Sequence, residues 1–216
     1  GPDPQFPPLG QYHWFGGDGM VHAFHFENGK ISYLNRWSKT SKWLQERKAG
    51  KSLIDGLNPM NSDPRWNPEG SDGTANTNII FHAGKLLALE EGHVPFELDP
   101  ITLESKGAYD YGGKLKSPMT AHPKIDPVSG DMYGFSYTAE NFFSSKMSYF
   151  VINSLGELKT YEEFEAPFAS MVHDFMVTDQ HIIFPIFPLT IDFDRVVKGQ
   201  SPIAWDPDKG THVGVM

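Results

Sequence analysis

Val21-His22-Ala23-Phe24-His25-Phe26, then Glu27-Asn28-Gly29-Lys30, then Ile31-Ser32-Tyr33-Leu34-Asn35-Arg36-Trp37 read as an alternating run, a turn and a second alternating run. An Asn-Gly pair between two β-rich segments is the strongest short hairpin signal, because both central turn residues tolerate positive φ. The unit returns at residues 76–82, Ala83-Gly84 and residues 85–91. Further short strands are expected within 132–138, 147–152, 158–164 and 181–184. Between them stand Asp99-Pro100, Asp126-Pro127-Val128-Ser129-Gly130-Asp131, Asn153-Ser154-Leu155-Gly156-Glu157, Asp179-Gln180 and Asp206-Pro207-Asp208-Lys209-Gly210. Many short strands joined by tight turns, without intervening helices, argue an all-β protein built of meanders. A sandwich satisfies those signals too, but the recurrence of strand, turn and strand favours a β-propeller. At about four strands per blade the chain supplies three to four blades, so residues 1–216 read as a single domain that is an incomplete portion of a propeller.

Three stretches depart from this pattern. Residues 39–51 carry Trp43, Leu44 and Arg47 at helical spacing and are expected to form a helix. Residues 55–73, rich in Gly, Asn, Pro and Asp, predict a loop long enough to be functional or to cover something. Residues 1–8, with four prolines, read as a stiff extended arm.

The composition is globular, with 39% apolar and 13% aromatic residues in 216. Zero cysteines exclude a disulfide framework and thiolate metal sites, so a metal must rest on the nine histidines and the carboxylates. Eighteen basic against twenty-seven acidic residues give a net charge of -9, which opposes the counterion release expected of a nucleic-acid binder. The apolar run at 182–189 is too short for a bilayer and is cut by Pro185 and Pro188. A buried strand is its expected fate, with a peripheral membrane patch as the alternative. No signal-peptide pattern opens the chain, and a cytoplasmic setting is the expectation.

Two histidines sit where apolar segments meet expected strands: His122 within Ser117-Pro118-Met119-Thr120-Ala121-His122-Pro123-Lys124-Ile125-Asp126-Pro127, and His173 within Met171-Val172-His173-Asp174-Phe175. On spacing alone each reads as a structural strand residue. His22 and His25, three apart on a strand, point to opposite faces and make a poor chelating pair.

Six stretches together resemble the carotenoid cleavage oxygenase family. They are Gly17-Asp18-Gly19-Met20-Val21-His22, Asn76-Thr77-Asn78, Leu87-Ala88-Leu89-Glu90-Glu91-Gly92, residues 96–104, Ala121-His122-Pro123-Lys124-Ile125-Asp126-Pro127 and Val172-His173-Asp174-Phe175. The resemblance implies a seven-bladed propeller and a non-haem Fe(II) held by four histidines, with no carboxylate bonded directly to the metal. By the motif match His122 and His173 would be two of those ligands, the other two falling in the family's C-terminal half, beyond this sequence. Glu91 would orient a ligand histidine by accepting its other ring N–H. Thr77 would face the dioxygen site, and Phe15 would line the substrate tunnel. Without the match, Glu91 reads as a solvated strand end, Thr77 as an ordinary strand residue and Phe15 as core.

The implied reaction is oxidative cleavage of a conjugated C=C bond by O2 to two carbonyl products, on an apocarotenoid, stilbenoid or related aryl-alkene. The implied partners are thus a small lipophilic alkene and O2. Stilbene-cleaving members recognise a phenol with a lysine just before the orienting glutamate and with an upstream tyrosine. Here Glu90 stands at the lysine's place, and no tyrosine occurs between Ser38 and Lys106. Glu90 is therefore the residue expected to alter substrate choice. Two other readings compete: a propeller glycosidase or carbohydrate-binding module using Asp110, Asp126 or Asp174, and a non-catalytic fragment.

Overall fold

The computed structural model describes residues 1–10, 12–55 and 59–216. The chain divides into two compact units, one of Gly1–Glu90 with Pro95–Tyr109 and one of Glu91–Val94 with Asp110–Met216.

In the first unit, β1 (Met20–Glu27) and β2 (Lys30–Trp37) form the expected hairpin, with Glu27 opposite Lys30. Asn28 at φ 49° and Gly29 at φ 73° put both turn residues in the left-handed region, the twist that a two-residue hairpin needs. The helix is α1 (Ser41–Ala49), shorter at both ends than residues 39–51. Thr40 caps its start by accepting from the Trp43 N–H, and Gly50, left-handed, ends it.

Its buried face is not the one that the apolar spacing suggested. Leu44 is exposed, whereas Lys42 and Glu46, one turn apart, are buried. The Lys42 ammonium lies 2.8 Å from Asp18 Oδ1 and 2.9 Å from Glu46 Oε2. Glu46 also accepts from the Leu53 N–H and the Ser52 hydroxyl, and Asp18 accepts from the Gln5 N–H. That last bond, with Asp3 N–H donating to the Asp18 carbonyl, docks the N-terminal arm.

The loop after α1 has little regular structure, and its residues 56–58 lie outside the described residues. It is tied to the helix through Gln45, whose side chain exchanges hydrogen bonds with the Asn67 backbone, and through Ser41 and Asp72. Arg65 and then Lys51, both bonded to the Asp63 carboxylate, hold that carboxyl far below its usual range.

Beyond the loop, β3 (Asn78–His82), β4 (Lys85–Leu89), β5 (Phe96–Leu98) and β6 (Ser105–Ala108) pair in chain order as a four-stranded antiparallel meander. Their core gathers Val21, Ala75, Ala88, Phe96, Leu98 and Leu103.

The second unit repeats the meander with β7 (Lys124–Ile125), β8 (Met132–Ser136), β9 (Lys146–Ile152) and β10 (Leu158–Glu165). Gly134 is required inside β8: its cross-strand partner Phe150 lays a ring over it, and a methyl group there would fall well inside van der Waals contact. Phe150 in turn stacks on Tyr161 across the next pair, ring centroids 6.5 Å apart.

A second sheet orders β11 (Met176–Val177), β12 (Ile182–Ile186) and, later in the chain, β15 (His212–Val215). Between them come the hairpin partners β13 (Leu189–Ile191) and β14 (Ile203–Trp205), with the short helix α2 (Phe193–Val197) in their connection. The apolar run at 182–189 thus becomes mostly strand, with Ile182, Phe184 and Ile186 buried and Phe187 exposed.

The Asp-Pro turns share one device. Proline has no N–H, so the first amides free to bond come after it, and the preceding carboxylate reaches over the ring to take them. Asp99 accepts from Ile101 and Thr102, Asp126 from Val128 and Ser129, and Asp206 from Asp208. Among the described residues no helix is long and apolar enough to cross a membrane.

Candidate metal centre

His122 lies in the bend just before β7. Met119 and Ala121 before it are fully buried, the Thr120 N–H donates to the Phe135 carbonyl at 2.8 Å, and Lys124 pairs with Tyr133. The Thr120 hydroxyl also accepts from the His122 N–H at 3.1 Å. The backbone on both sides of the imidazole is therefore fixed by core packing and by sheet.

His173 is held by an aromatic core. Val172 and Phe175, both buried, bracket it, and Phe175 packs with Phe135 and Phe184 at centroid distances of 4.8 and 5.9 Å. The Met171 N–H donates to the Leu189 carbonyl at 3.0 Å, and β11 begins at Met176. His173 itself projects from this anchored stretch and is exposed.

The two imidazoles meet with Nε2 atoms 3.0 Å apart and ring planes at 69°. On its other side, His173 Nδ1 is in contact with a Glu91 carboxylate oxygen, while Glu91 Oε2 accepts from the Tyr137 hydroxyl at 2.7 Å. Burial pushes the Glu91 carboxyl above its usual range, and the Tyr137 hydroxyl and the imidazoles pull it partly back. A donor atom from each of Glu91, His122 and His173 lies within 4.8 Å of the others, so the group could hold a metal ion.

Tautomer chemistry decides how. With its Nδ1 proton on Glu91, His173 keeps a bare lone pair on Nε2, directed at His122. Two imidazole nitrogens each about 2.1 Å from one ion would stand about 3.0 to 3.4 Å apart, for angles at the ion from a right angle to the tetrahedral value, and the observed 3.0 Å lies in that range. Because the two nitrogens of one ring face opposite edges, a carboxylate on Nδ1 and a metal on Nε2 do not compete. A carboxylate so placed can hold the His173 ring in one orientation while leaving its Nε2 open.

Of the six residues singled out in the sequence, Glu91, His122 and His173 come together in the second unit, and Phe15, Thr77 and Glu90 belong to the first. There Phe15 sits in a 3-10 turn (Trp14–Gly16), 53% exposed, with its ring against His13 at 4.5 Å. Thr77 is exposed, and its hydroxyl donates to Asn76 Oδ1 at 2.9 Å. Asn76 is buried, and its amide donates to the carbonyls of Phe15 and Gly17, both at 2.7 Å. Phe15 and Thr77 are therefore linked through Asn76, a residue of the quoted motif to which the sequence reading gave no role. Glu90 follows β4 and is half-buried.

The Retinal pigment epithelial membrane protein family matches residues 1–216. Isoeugenol monooxygenase of Pseudomonas nitroreducens is 40% identical over 218 residues, covering 100% of this chain and 45% of that protein. The chain belongs to the carotenoid cleavage oxygenase family. Resveratrol cleavage oxygenase 1 of Aspergillus fumigatus is likewise 40% identical, over 100% of this chain and 43% of its own length. The crystal structure of Pseudomonas brassicacearum lignostilbene dioxygenase superposes with a TM-score of 0.93 at 40% identity, covering 100% of this chain and 45% of that one. A Synechocystis apocarotenoid oxygenase gives 0.78 at 28% identity, over 94% and 46%.

Membership of the carotenoid cleavage oxygenase family settles the fold class expected from the turns: the chain is part of a seven-bladed β-propeller. The family is one of non-haem iron dioxygenases. This chain spans a little under half the length of the curated relatives it matches.

Two further contacts in this family member had no sequence signal. Tyr137, buried at the end of a strand stretch, reaches Glu91 across 46 residues. Lys124 Nζ bonds Asp174 Oδ1 at 2.7 Å, across 50 residues. Partial burial pushes the Asp174 carboxyl up, but Lys124 and the Phe175 N–H outweigh it and hold the carboxyl below its usual range. Each carboxylate named for a hydrolase has such a local role: Asp174 on Lys124, Asp126 in its proline turn, and Asp110 capping Gly113.

Proposed function

We propose that the protein carrying this chain cleaves a conjugated C=C bond with O2 to give two carbonyl products, using Fe(II) held in part by His122 and His173. The observation that carries the reading is the convergence of two Nε2 atoms at 3.0 Å, one of them on a ring whose Nδ1 is engaged by Glu91. When bound, the iron supplies the redox chemistry that joins O2 to an electron-rich double bond. His122 and His173 fix its place, Glu91 keeps the His173 proton on Nδ1, and Tyr137 keeps Glu91 turned toward that ring. No general acid or base is called for. Both oxygen atoms enter the products and no external reductant is consumed.

The substrate class we favour is a small lipophilic alkene: an apocarotenoid, a stilbenoid or a related aryl-alkene. Names of relatives that carry isoeugenol, lignostilbene and resveratrol support aryl-alkenes. In this reading all 216 residues belong to one propeller domain, Thr77 faces the dioxygen site, and Phe15 and Glu90 contact substrate. A cytoplasmic setting, with peripheral membrane contact as a route for lipophilic substrate, completes it.

The direct test is stoichiometry in the full-length protein: one O2 consumed for each pair of carbonyl products, with both oxygens from 18O2 retained under fast trapping. Label in only one product would overturn the dioxygenase reading. For Glu90, a carboxylate repels a phenolate that an ammonium would attract. Glu90→Lys is accordingly expected to raise kcat/KM for 4-hydroxylated over 4-methoxylated stilbenes by about 10-fold, the equivalent of one charge-assisted hydrogen bond. An unchanged ratio would remove Glu90 from the substrate site.

A further inference from the structure

We propose that the Lys124–Asp174 ion pair is a clamp that sets the separation of the His122 and His173 imidazoles, which makes both charged residues positioning residues for the metal. The inference rests on the proposed metal site and adds to it the part that holds the two histidine-bearing segments together.

The need for a clamp follows from topology. The His122 segment is secured to β8, in the meander β10-β9-β8-β7. The His173 segment is secured to Leu189 and leads into β11, in the sheet β11-β12-β15. The ladder hydrogen bonds that hold each segment are made to a different sheet, and 51 residues separate the two rings. Both Nε2 lone pairs must meet one ion, so the gap, already closed in the core by Phe175 on Phe135 of β8, has to be set at the imidazoles themselves by side chains outside both ladders.

Lys124 and Asp174 span that gap. Lys124 opens β7, two residues after His122 in the preceding bend. Its Nζ lies 2.7 Å from Asp174 Oδ1, on the residue next to His173. The same oxygen accepts from the Phe175 N–H at 2.8 Å, so the carboxylate is itself tied to the backbone that carries His173. The ammonium also stands 5.6 Å from the centre of the Phe175 ring, the aromatic anchor of that segment. Lys124 therefore grips a carboxylate, and through it an amide, and a ring of the same short stretch.

Stability does not explain the arrangement. The two side chains are 35% and 50% exposed, and a solvent-exposed pair adds little to folding. Its effect is expected in the geometry of the neighbouring ligands, where small displacements matter most.

The test is metal affinity in full-length protein stripped of metal, measured as Fe(II) competition with a chromogenic chelator under anaerobic conditions. Lys124→Met and Asp174→Asn are each expected to weaken affinity by about 10- to 100-fold, the usual effect of losing a group that orients a ligand. The double variant should be no weaker than the worse single, because either change opens the same clamp. Lys124→Arg should recover most of the loss, and the metal-free variants should melt in a single transition like the wild type, which separates loss of ligand placement from loss of the fold. Affinities within twofold of wild type, or two losses that multiply, would overturn the clamp. A wild-type protein that takes up no iron would instead sink the metal-site reading beneath it, so the two failures are distinguishable.

Discussion

Full-length protein carrying His173→Ala is expected to lose its iron and to cleave alkene at least about 100-fold more slowly, a larger effect than losing an orienting neighbour alone. The variant should remain folded. Val172 and Phe175, which anchor the segment in the core, are untouched by the truncation. The loss is then specific to the site. His122→Ala should do the same, since the alanine leaves a single imidazole where two converged. Removing Glu91 is a different experiment, as it frees the His173 ring to rotate and to change tautomer without deleting a ligand. Iron content by elemental analysis and oxygen uptake on one conjugated aryl-alkene check both histidine variants. Wild-type iron in either of them would end the ligand assignment.

The largest stability effect is expected far from that chemistry, at Lys42. Its ammonium is buried between the Asp18 and Glu46 carboxylates at 2.8 and 2.9 Å. Lys42→Met would leave two buried acidic groups facing an apolar chain, and breaking a buried ion pair from one side costs about 3–5 kcal/mol. Adding Glu46→Gln should recover part of that loss, because an amide oxygen can still accept from the Leu53 N–H while carrying no charge. Urea midpoints of the single and double variants measure both steps. A midpoint for Lys42→Met no lower than that of Lys48→Met, at an exposed position on the same helix, would refute the argument.

The same helix marks how far sequence reading reached. Trp43, Leu44 and Arg47 stand at helical spacing, so the existence of α1 was legible. Its buried face was not, because Lys42 and Glu46 look like a solvated i,i+4 pair until Asp18 and Leu53 are brought to them. The hairpins could be read from Asn28-Gly29 and Ala83-Gly84, since positive φ at consecutive turn residues is a local demand. His122, His173 and Glu91 stood out only through the family resemblance of their motifs; spacing alone left the histidines structural and Glu91 a solvated strand end. Tyr137 and Lys124 could not be found in this way. Each acts on a partner some 50 residues distant, and nothing local in the chain encodes such a pairing. Asn76 was quoted in a motif but given no role, because its buried amide bonds to the Phe15 and Gly17 carbonyls appear only with the fold.

The excursion of Glu91–Val94 out of the first unit bears on protein engineering. The stretch is fastened in the second unit by the Met119 N–H on the His93 carbonyl and by Tyr137 on Glu91. A minimal iron-binding fragment begun at Asp110 would contain both imidazoles yet leave one of them without its carboxylate. A useful boundary would have to fall upstream of position 91, and would therefore carry β5 and β6 of the first unit with it.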